Sequence, residues 1–325
     1  PDPGEGSVST LAPGNVSVQP EEPEEGETPA ASGPNVMDID FDALIANETD
    51  STLKDMHEYF RDRTPTEKNQ YTGMFQGKNL LLFTGEAFWI GAVNEQYTPT
   101  LYKLAHSGFV FENFYNPLWY YSTVDGEYAA TTGLIPTNQV NASQRYAGKN
   151  GVSMYFSMGN QLRALGYPTL AYHNNTANYY DRNLSHPNLG YDFYACDTGL
   201  DVAMTWPQSD LEMMQLTLPQ ALAGEKPFHN YYMTVSGHMN YSFAGNAMSA
   251  KHRDEVADLD MSEAARAYLA CNMELDQALE YTIKTLEEAG ELENTVIVLS
   301  GDHYPYGLDG TGAIDELAGE GTAPR

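Results

Sequence analysis

Short apolar runs alternate with stretches of helical spacing along most of the chain. The runs are typical of buried strands and occur in NLLLFTG, PTLAYH, FHNYYMTVSG and TVIVLSG, with a further strand predicted in FVFENFY. The helical spacing predicts helices near residues 97–107 and 209–222, after Thr123, across MYFSMGNQLRALGY and over about 261–289. Strands that alternate with helices favour an α/β fold with a mostly parallel central sheet and helices on both faces.

The first part of the chain has a different composition. Residues 1–36 are rich in Pro, Glu, Gly, Ser and Thr, as in PEEPEEGETPAASGP. They bury too little apolar surface to offset the entropy of ordering, so we interpret them as a flexible acidic linker. Residues 37–70 have helical spacing and are predicted to form a lead-in of one or two helices. Residues 71–325 are predicted to form the main domain.

Composition and charge narrow the possible functions. The chain has 325 residues and is 42% hydrophobic, which is enough for a sizeable core. Its formal net charge of -29 argues against nucleic acid as a partner, and an anionic substrate would need local cations or a metal ion. No apolar run reaches the roughly 18 to 20 residues that span a bilayer. The sequence leaves open whether Cys196 and Cys271 are two thiols or one disulfide.

Three of the predicted strands end in residues that are capable of chemistry. Glu86 follows LLLFTG, His238 follows YMTVSG, and Asp302 and His303 follow VIVLSG. Ligands of parallel α/β sheets bind at the carboxyl ends of the strands, and this mixture of oxygen and nitrogen donors suits manganese, zinc or magnesium. The alternative is structural: Asp302 would cap a turn, and Glu86 would be an ordinary loop charge.

Thr123 lies in YYSTVDGEYAATTGLIP, just before a predicted helix. The common role of threonine at such a position is that of an N-cap hydroxyl. The functional alternative is a nucleophile, since a divalent cation and a helix N-terminus both favour its alkoxide. Asp125 and Glu127 could support a metal site or could be first-turn carboxylates favoured by the helix dipole, and the second interpretation is preferred.

Together these motifs follow the order found in lipoteichoic acid synthase and related phosphoglycerol transferases. The set comprises NLLLFTGEAF, ST-x-D-x-E, YHNN followed by YYDR and LGYD, VSGH, Leu275 with Asp276 in the long helix, and SGDHYPYG. From about Tyr71 to Gly307 the chain resembles this sulfatase-like family of the alkaline phosphatase superfamily. The resemblance implies the fold of that superfamily and a metal-dependent phosphotransferase.

The resemblance also implies roles for particular residues. A divalent ion, typically manganese, would be held by Glu86, Thr123, Asp302 and His303, with Thr123 as the nucleophile. The glycerol phosphate headgroup would be surrounded by Arg182, His238 and Tyr180. The family often has tryptophan at the position of Tyr180 and a GKTSDAE-like stretch in place of YSTVDGE, so the headgroup preference is less firmly implied than the metal chemistry. A surface tyrosine, a salt-bridged arginine and a loop histidine are the alternatives.

In the family, the donor is phosphatidylglycerol and the acceptor is a glycolipid anchor or a growing polyglycerolphosphate chain. The resemblance thus implies an ectodomain at the extracellular face of a bacterial membrane, which it reaches through segments outside this chain. A phosphoethanolamine transferase, a phosphodiesterase and a non-catalytic binding or sensory domain are the alternatives. A sulfatase proper is disfavoured, because the C-x-P-x-R or S-x-P-x-R nucleophile stretch does not occur. Family catalytic domains usually continue past the position of Gly307, which leaves open whether the domain is truncated at its C-terminus.

Overall fold

The computed structural model describes residues 32–36, 39–115 and 118–319. The chain divides into one unit that ends at Gln76 and a second that begins at Gly77. The linker predicted over residues 1–36 lies mostly outside the described residues. In the first unit, the predicted helical segment forms two helices, α1 (Phe41–Asn47) and α2 (Ser51–Arg61). The carboxylates of Asp40 and Asp50 cap them by accepting hydrogen bonds from backbone N–H groups.

The second unit is built on a sheet of five parallel strands, which confirms the predicted α/β fold class. The order across the sheet is β3-β2-β4-β1-β5. The strands are β1 (Asn79–Gly85), β2 (Thr169–His173), β3 (Asp192–Ala195), β4 (His229–Met233) and β5 (Thr295–Gly301). Because Gly85 is in register with Gly301, and Thr84 with Met233, the carboxyl ends of three strands meet at one edge.

Helices cover the sheet. They are α3 (Pro99–Ala105), α4 (Thr123–Thr132), α5 (Val140–Asn150), α6 (Met158–Ala164), α7 (Arg182–Asn188), α8 (Asp210–Ala223), α9 (Ala247–Lys251), α10 (Glu263–Glu288) and α11 (Ala313–Ala318). Asp276, the acid of the LD motif in α10, accepts a hydrogen bond from the Leu101 N–H at 2.7 Å. This hydrogen bond satisfies a backbone N–H group in the first turn of α3 that has no acceptor within the helix.

Alternate residues of the central strands pack into two separate clusters, one on each face of the sheet. Leu81 and Phe83 of β1 belong to the larger cluster, together with residues of α8 and α10. Leu82 lies between them in sequence and packs on the opposite side with Tyr231 and Met233 of β4. Both faces of the sheet are therefore buried, which explains why these strands are almost continuously apolar.

Two predictions of secondary structure were wrong in detail. Residues 109–115, FVFENFY, form no strand, and the side chains of Phe111 and Tyr115 are exposed. An apolar run can form a strand only beside a partner strand, and no strand in the described residues pairs with this segment. The helix predicted across 154–167 is limited to α6, because the chain turns at Leu165 and Gly166.

Two further expectations concern the bilayer and the thiols. Across the described ranges, every helix is either too short or too polar to meet the requirements of a membrane-spanning segment. Cys196 and Cys271 are both free, the first half-buried and the second buried, so the question of a disulfide is decided in favour of two thiols.

Candidate active site

Three of the chemically capable residues converge where β1 and β5 end. Glu86 follows β1 directly, and Asp302 and His303 follow β5, its neighbour in the sheet. All three side chains are buried, and their donor atoms lie within 4.8 Å of one another. The pairing of β1 with β5 therefore brings together residues that are more than two hundred positions apart in sequence.

Thr123 joins this group from the first turn of α4. Its Oγ1 lies 3.4 Å from Glu86 Oε2 and 3.5 Å from His303 Nε2. The N-cap position belongs to Ser122, so the hydroxyl of Thr123 faces the cluster instead of capping the helix. The close approach depends on Gly126, since a Cβ there would lie 2.2 Å from the backbone oxygen of Asp302.

The imidazole of His303 is oriented by its own loop. Nδ1 lies 2.9 Å from the carbonyl oxygen of Tyr304, which can only accept, so Nδ1 carries the proton. In the neutral ring, Nε2 then keeps a free lone pair. That atom lies 3.6 Å from Glu86 Oε1 and 3.4 Å from Asp302 Oδ2. The ring is thus fixed in the tautomer that can act as a metal ligand.

The electrostatics of the cluster favour a bound cation. Asp302 Oδ1 accepts hydrogen bonds from the N–H groups of Ala87 and His303, both at 2.7 Å. Its Oδ2 is buried and accepts no hydrogen bond from the described residues. Burial raises the pKa of Glu86, the nearby Asp302 carboxylate raises it further, and burial also raises the pKa of Asp302. Two buried carboxylates, a hydroxyl and an imidazole nitrogen fit a divalent metal ion.

A second group forms around Arg182, the first residue of α7. Arg182 is only 1% exposed, and its Nε and Nη2 donate to Glu127 Oε1 at 2.9 and 2.6 Å. The other oxygen of Glu127 accepts from the Tyr231 hydroxyl at 3.1 Å and lies 3.4 Å from His186 Nε2. The alternative for Arg182 was a salt-bridged arginine, and the structure shows such a pair with Glu127, buried inside the protein.

Tyr180 lies against this group. Its ring centre is 5.4 Å from the guanidinium carbon of Arg182, within the range of a cation–π contact. The residue is half-buried and has a φ of 55°, a left-handed conformation that is costly for a non-glycine residue. Burial raises the pKa of Tyr180, and the Glu86 carboxylate contributes to that rise.

His238 is held in the loop that follows β4. Its ring packs edge-on against Trp206 with centres 4.9 Å apart, and its Nδ1 lies 2.6 Å from the Met239 oxygen. Burial lowers the pKa of His238; the nearby His303 lowers it further, whereas the Asp302 carboxylate raises it. The loop itself is fixed by the buried Asp210, whose carboxylate accepts from the Val235 N–H at 2.9 Å.

The contacts of Glu127 and Asp125 could not be predicted from the sequence. Glu127 is a buried partner of Arg182, and Asp125 accepts from the Tyr121 N–H at 2.8 Å, which anchors the segment before Thr123. Asp125 is a first-turn carboxylate of α4, as was preferred, although it is buried, whereas Glu127 lies beyond the first turn. The spacing contained one signal: Thr123 and Glu127 are four residues apart and therefore share a helix face.

The chain matches one protein-family model and is similar to known lipoteichoic acid synthases. The sulfatase family model matches residues 78–322. Lipoteichoic acid synthase 2 from Bacillus subtilis is 23% identical over 300 residues, which cover 88% of this chain and 44% of that protein. The chain thus spans less than half the length of this relative.

Solved structures are similar in fold. The lipoteichoic acid synthase LtaP from Listeria monocytogenes gives a TM-score of 0.59 at 22% identity, over 71% of this chain and 57% of that chain. The C-terminal periplasmic domain of EcEptC from Escherichia coli, a complex with Zn, gives 0.51 at 18% identity, over 72% and 65%. These likenesses confirm the expected alkaline phosphatase/sulfatase-like fold.

Proposed function

This chain belongs to the sulfatase family, and we propose that it is a metal-dependent phosphotransferase that moves glycerol phosphate from phosphatidylglycerol to a hydroxyl acceptor. One observation carries the proposal: the Thr123 hydroxyl lies within 3.5 Å of Glu86 and His303, in a buried cluster that fits a divalent cation. The similarity to a lipoteichoic acid synthase supports the choice of glycerol phosphate as the transferred group.

Glu86, Thr123, Asp302 and His303 would hold the cation. We propose manganese, with zinc and magnesium as alternatives. When bound, such an ion lowers the pKa of a coordinated hydroxyl and neutralises charge on phosphoryl oxygens. The unpartnered Oδ2 of Asp302 and the free lone pair of His303 Nε2 are the features of this chain that support the assignment.

Thr123 would act in two displacements. Its Oγ1 forms a bond to phosphorus, the bond from phosphorus to the diacylglycerol oxygen breaks, and diacylglycerol leaves with a proton. The glycerophospho-threonine is then attacked by the acceptor hydroxyl, and the Thr123 hydroxyl is restored. The N-terminus of the ten-residue helix α4 favours negative charge at this oxygen in both steps.

Arg182 would hold the phosphate oxygens. A guanidinium has five N–H donors, and three take part in the bonds to Glu127 and to the Tyr179 carbonyl oxygen. One N–H on each terminal nitrogen is left, which is the arrangement that binds a phosphate group bidentately. We propose that Tyr180 and His238 border the glycerol part of the headgroup.

The whole reaction includes partners that this chain does not contain. We propose a glycolipid or a polyglycerolphosphate chain as the acceptor, and a position at the extracellular face of a bacterial cell membrane. The bilayer would be reached through segments outside this chain. The complete set of Glu86, Thr123, Asp302 and His303 favours an enzyme over a non-catalytic binding domain, in which such a set has no reason to be kept.

Release of labelled diacylglycerol from phosphatidylglycerol tests this function. We expect release with Mn²⁺, and a decrease of at least about 100-fold on addition of EDTA or in Asp302→Asn, which weakens the ligand set. Asp315→Asn changes an exposed carboxylate in α11 and serves as the matched control, with unchanged release. Release that is equally fast with EDTA and with Mn²⁺ would contradict a metal-dependent mechanism.

A further inference from the structure

Two arginines and a phenylalanine form a separate cationic group outside the candidate active site. The guanidinium carbons of Arg253 and Arg266 lie 5.3 and 5.8 Å from the centre of the Phe243 ring. The three side chains border a cavity of about 320 Å³, which is also lined by Ala244, Ala257 and Glu263. One aromatic ring thus holds two like charges at the wall of one cavity.

Neither of these arginines forms an ion pair within the described residues. Five ion pairs in the described residues involve arginine, and they use Arg61, Arg145, Arg163 and Arg182. Neither Arg253 nor Arg266 takes part in any of them. In addition, the Nε of Arg266 is buried and has no hydrogen-bond partner within the described ranges, although its Nη1 donates to the Ala257 oxygen at 3.1 Å. A buried donor without a partner is costly, and an anion bound beside this guanidinium would offset part of that cost.

Acidic side chains surround these two arginines, so any region of positive potential is small. Glu263 is the one acid of the lining, and its Oε1 already accepts from the Phe243 N–H at 3.2 Å. Glu255, on the adjoining segment, lies 3.3 Å from His252 Nδ1. The same segment also contains Asp254, Asp258 and Asp260. An extended polyanion would meet all of these carboxylates, whereas a small anion in the cavity would meet only Glu263 among them.

We propose that this cavity is an anion-binding site for a phosphate group, either inorganic phosphate or the phosphate of a small ester. A guanidinium presents its donors in a planar fork that matches phosphate oxygens, and two guanidiniums can bind one phosphate from two sides. The cavity volume is at the lower end of the range for small-molecule sites, which suits a phosphate with a short polyol. The site does not depend on the proposed phosphotransferase activity.

Titration calorimetry with inorganic phosphate, on the full chain treated with EDTA, tests the site. We expect saturable binding that Arg253→Gln and Arg266→Gln each weaken at least tenfold. Lys284→Gln removes an exposed charge elsewhere and should bind as the unchanged protein does. Arg266→Lys keeps the charge but lacks the Nε donor, so it should bind phosphate more weakly than the unchanged protein even if Arg266→Gln fails to fold.

Other outcomes of the titration would overturn the proposal or identify the source of the phosphate. Equal binding by Arg266→Gln and the unchanged protein, or equal weakening by Lys284→Gln, would overturn the proposal and indicate an adventitious ion only. The source of the phosphate is distinguished by repeating the titration with glycerol phosphate and with phosphatidylglycerol vesicles. Tighter binding of the soluble ester identifies a free ester, and tighter binding of vesicles that Arg266→Gln abolishes identifies a lipid headgroup.

Discussion

Replacement of Thr123 by alanine is expected to lower the turnover of phosphatidylglycerol by about 10³-fold or more. The hydroxyl is the atom proposed to form the bond to phosphorus, and it lies within 3.5 Å of both Glu86 and His303. Steady-state release of diacylglycerol in the presence of Mn²⁺ measures the effect. The side chain is small and stands at the start of α4, so the thermal unfolding midpoint should change little.

Thr123→Ser is the matched control. It keeps the hydroxyl and loses one methyl group, so we expect turnover well above that of the alanine variant. If Thr123→Ala kept more than about a tenth of the normal turnover with Mn²⁺ present, the assignment of the nucleophile would be wrong, because loss of a covalent nucleophile costs far more than one factor of ten.

The second large effect is expected at Glu127. Glu127→Ala would leave the guanidinium of Arg182, 1% exposed, buried without its carboxylate partner. Loss of one member of a buried pair destabilises a protein by about 3–5 kcal/mol. Urea unfolding monitored by circular dichroism measures the free energy of unfolding. Glu280→Ala breaks the exposed pair with Lys284 and provides the control, with a change below about 1 kcal/mol.

Glu127 should also act on substrate binding through Arg182. Burial alone would raise the pKa of Glu127, but Arg182 and His186 hold it well below its usual range. The stabilising contribution of this carboxylate is therefore present at neutral pH and is lost as the pH falls through the acidic range. Glu127→Gln keeps the volume and should raise KM for phosphatidylglycerol more than it lowers kcat. Equal stability of Glu127→Ala and Glu280→Ala would contradict the account of the pair.

Much of the site could be predicted because strand ends are visible in a sequence. Glu86, His238 and Asp302 each follow an apolar run and a glycine, and parallel strands place such residues on one edge. The register of β1 with β5 is what turned this expectation into a compact cluster. The proposed nucleophile, Thr123, was harder to predict, because a threonine at the start of a helix is usually a cap; its closeness to Glu86 and His303 is visible only in the structure.

Other features depend on contacts that no local pattern contains. Glu127 and Arg182 are 55 positions apart, and nothing near either residue indicates that they pair. The apolar period of FVFENFY predicted a strand, but pairing depends on the rest of the sheet, which gives this segment no neighbour in the described residues. The cavity beside Phe243 likewise joins a loop after β4 to the first turn of α10.

Intact-protein mass spectrometry tests the central claim most directly. The protein would be incubated with Mn²⁺ and a mixture of phosphatidylglycerol and phosphatidylethanolamine, and the adduct would be located by peptide mapping. The account predicts an adduct with the mass of glycerophosphate on Thr123, absent from Thr123→Ala. An adduct with the mass of phosphoethanolamine would contradict the proposed donor, and an adduct that survives Thr123→Ala would contradict the proposed nucleophile.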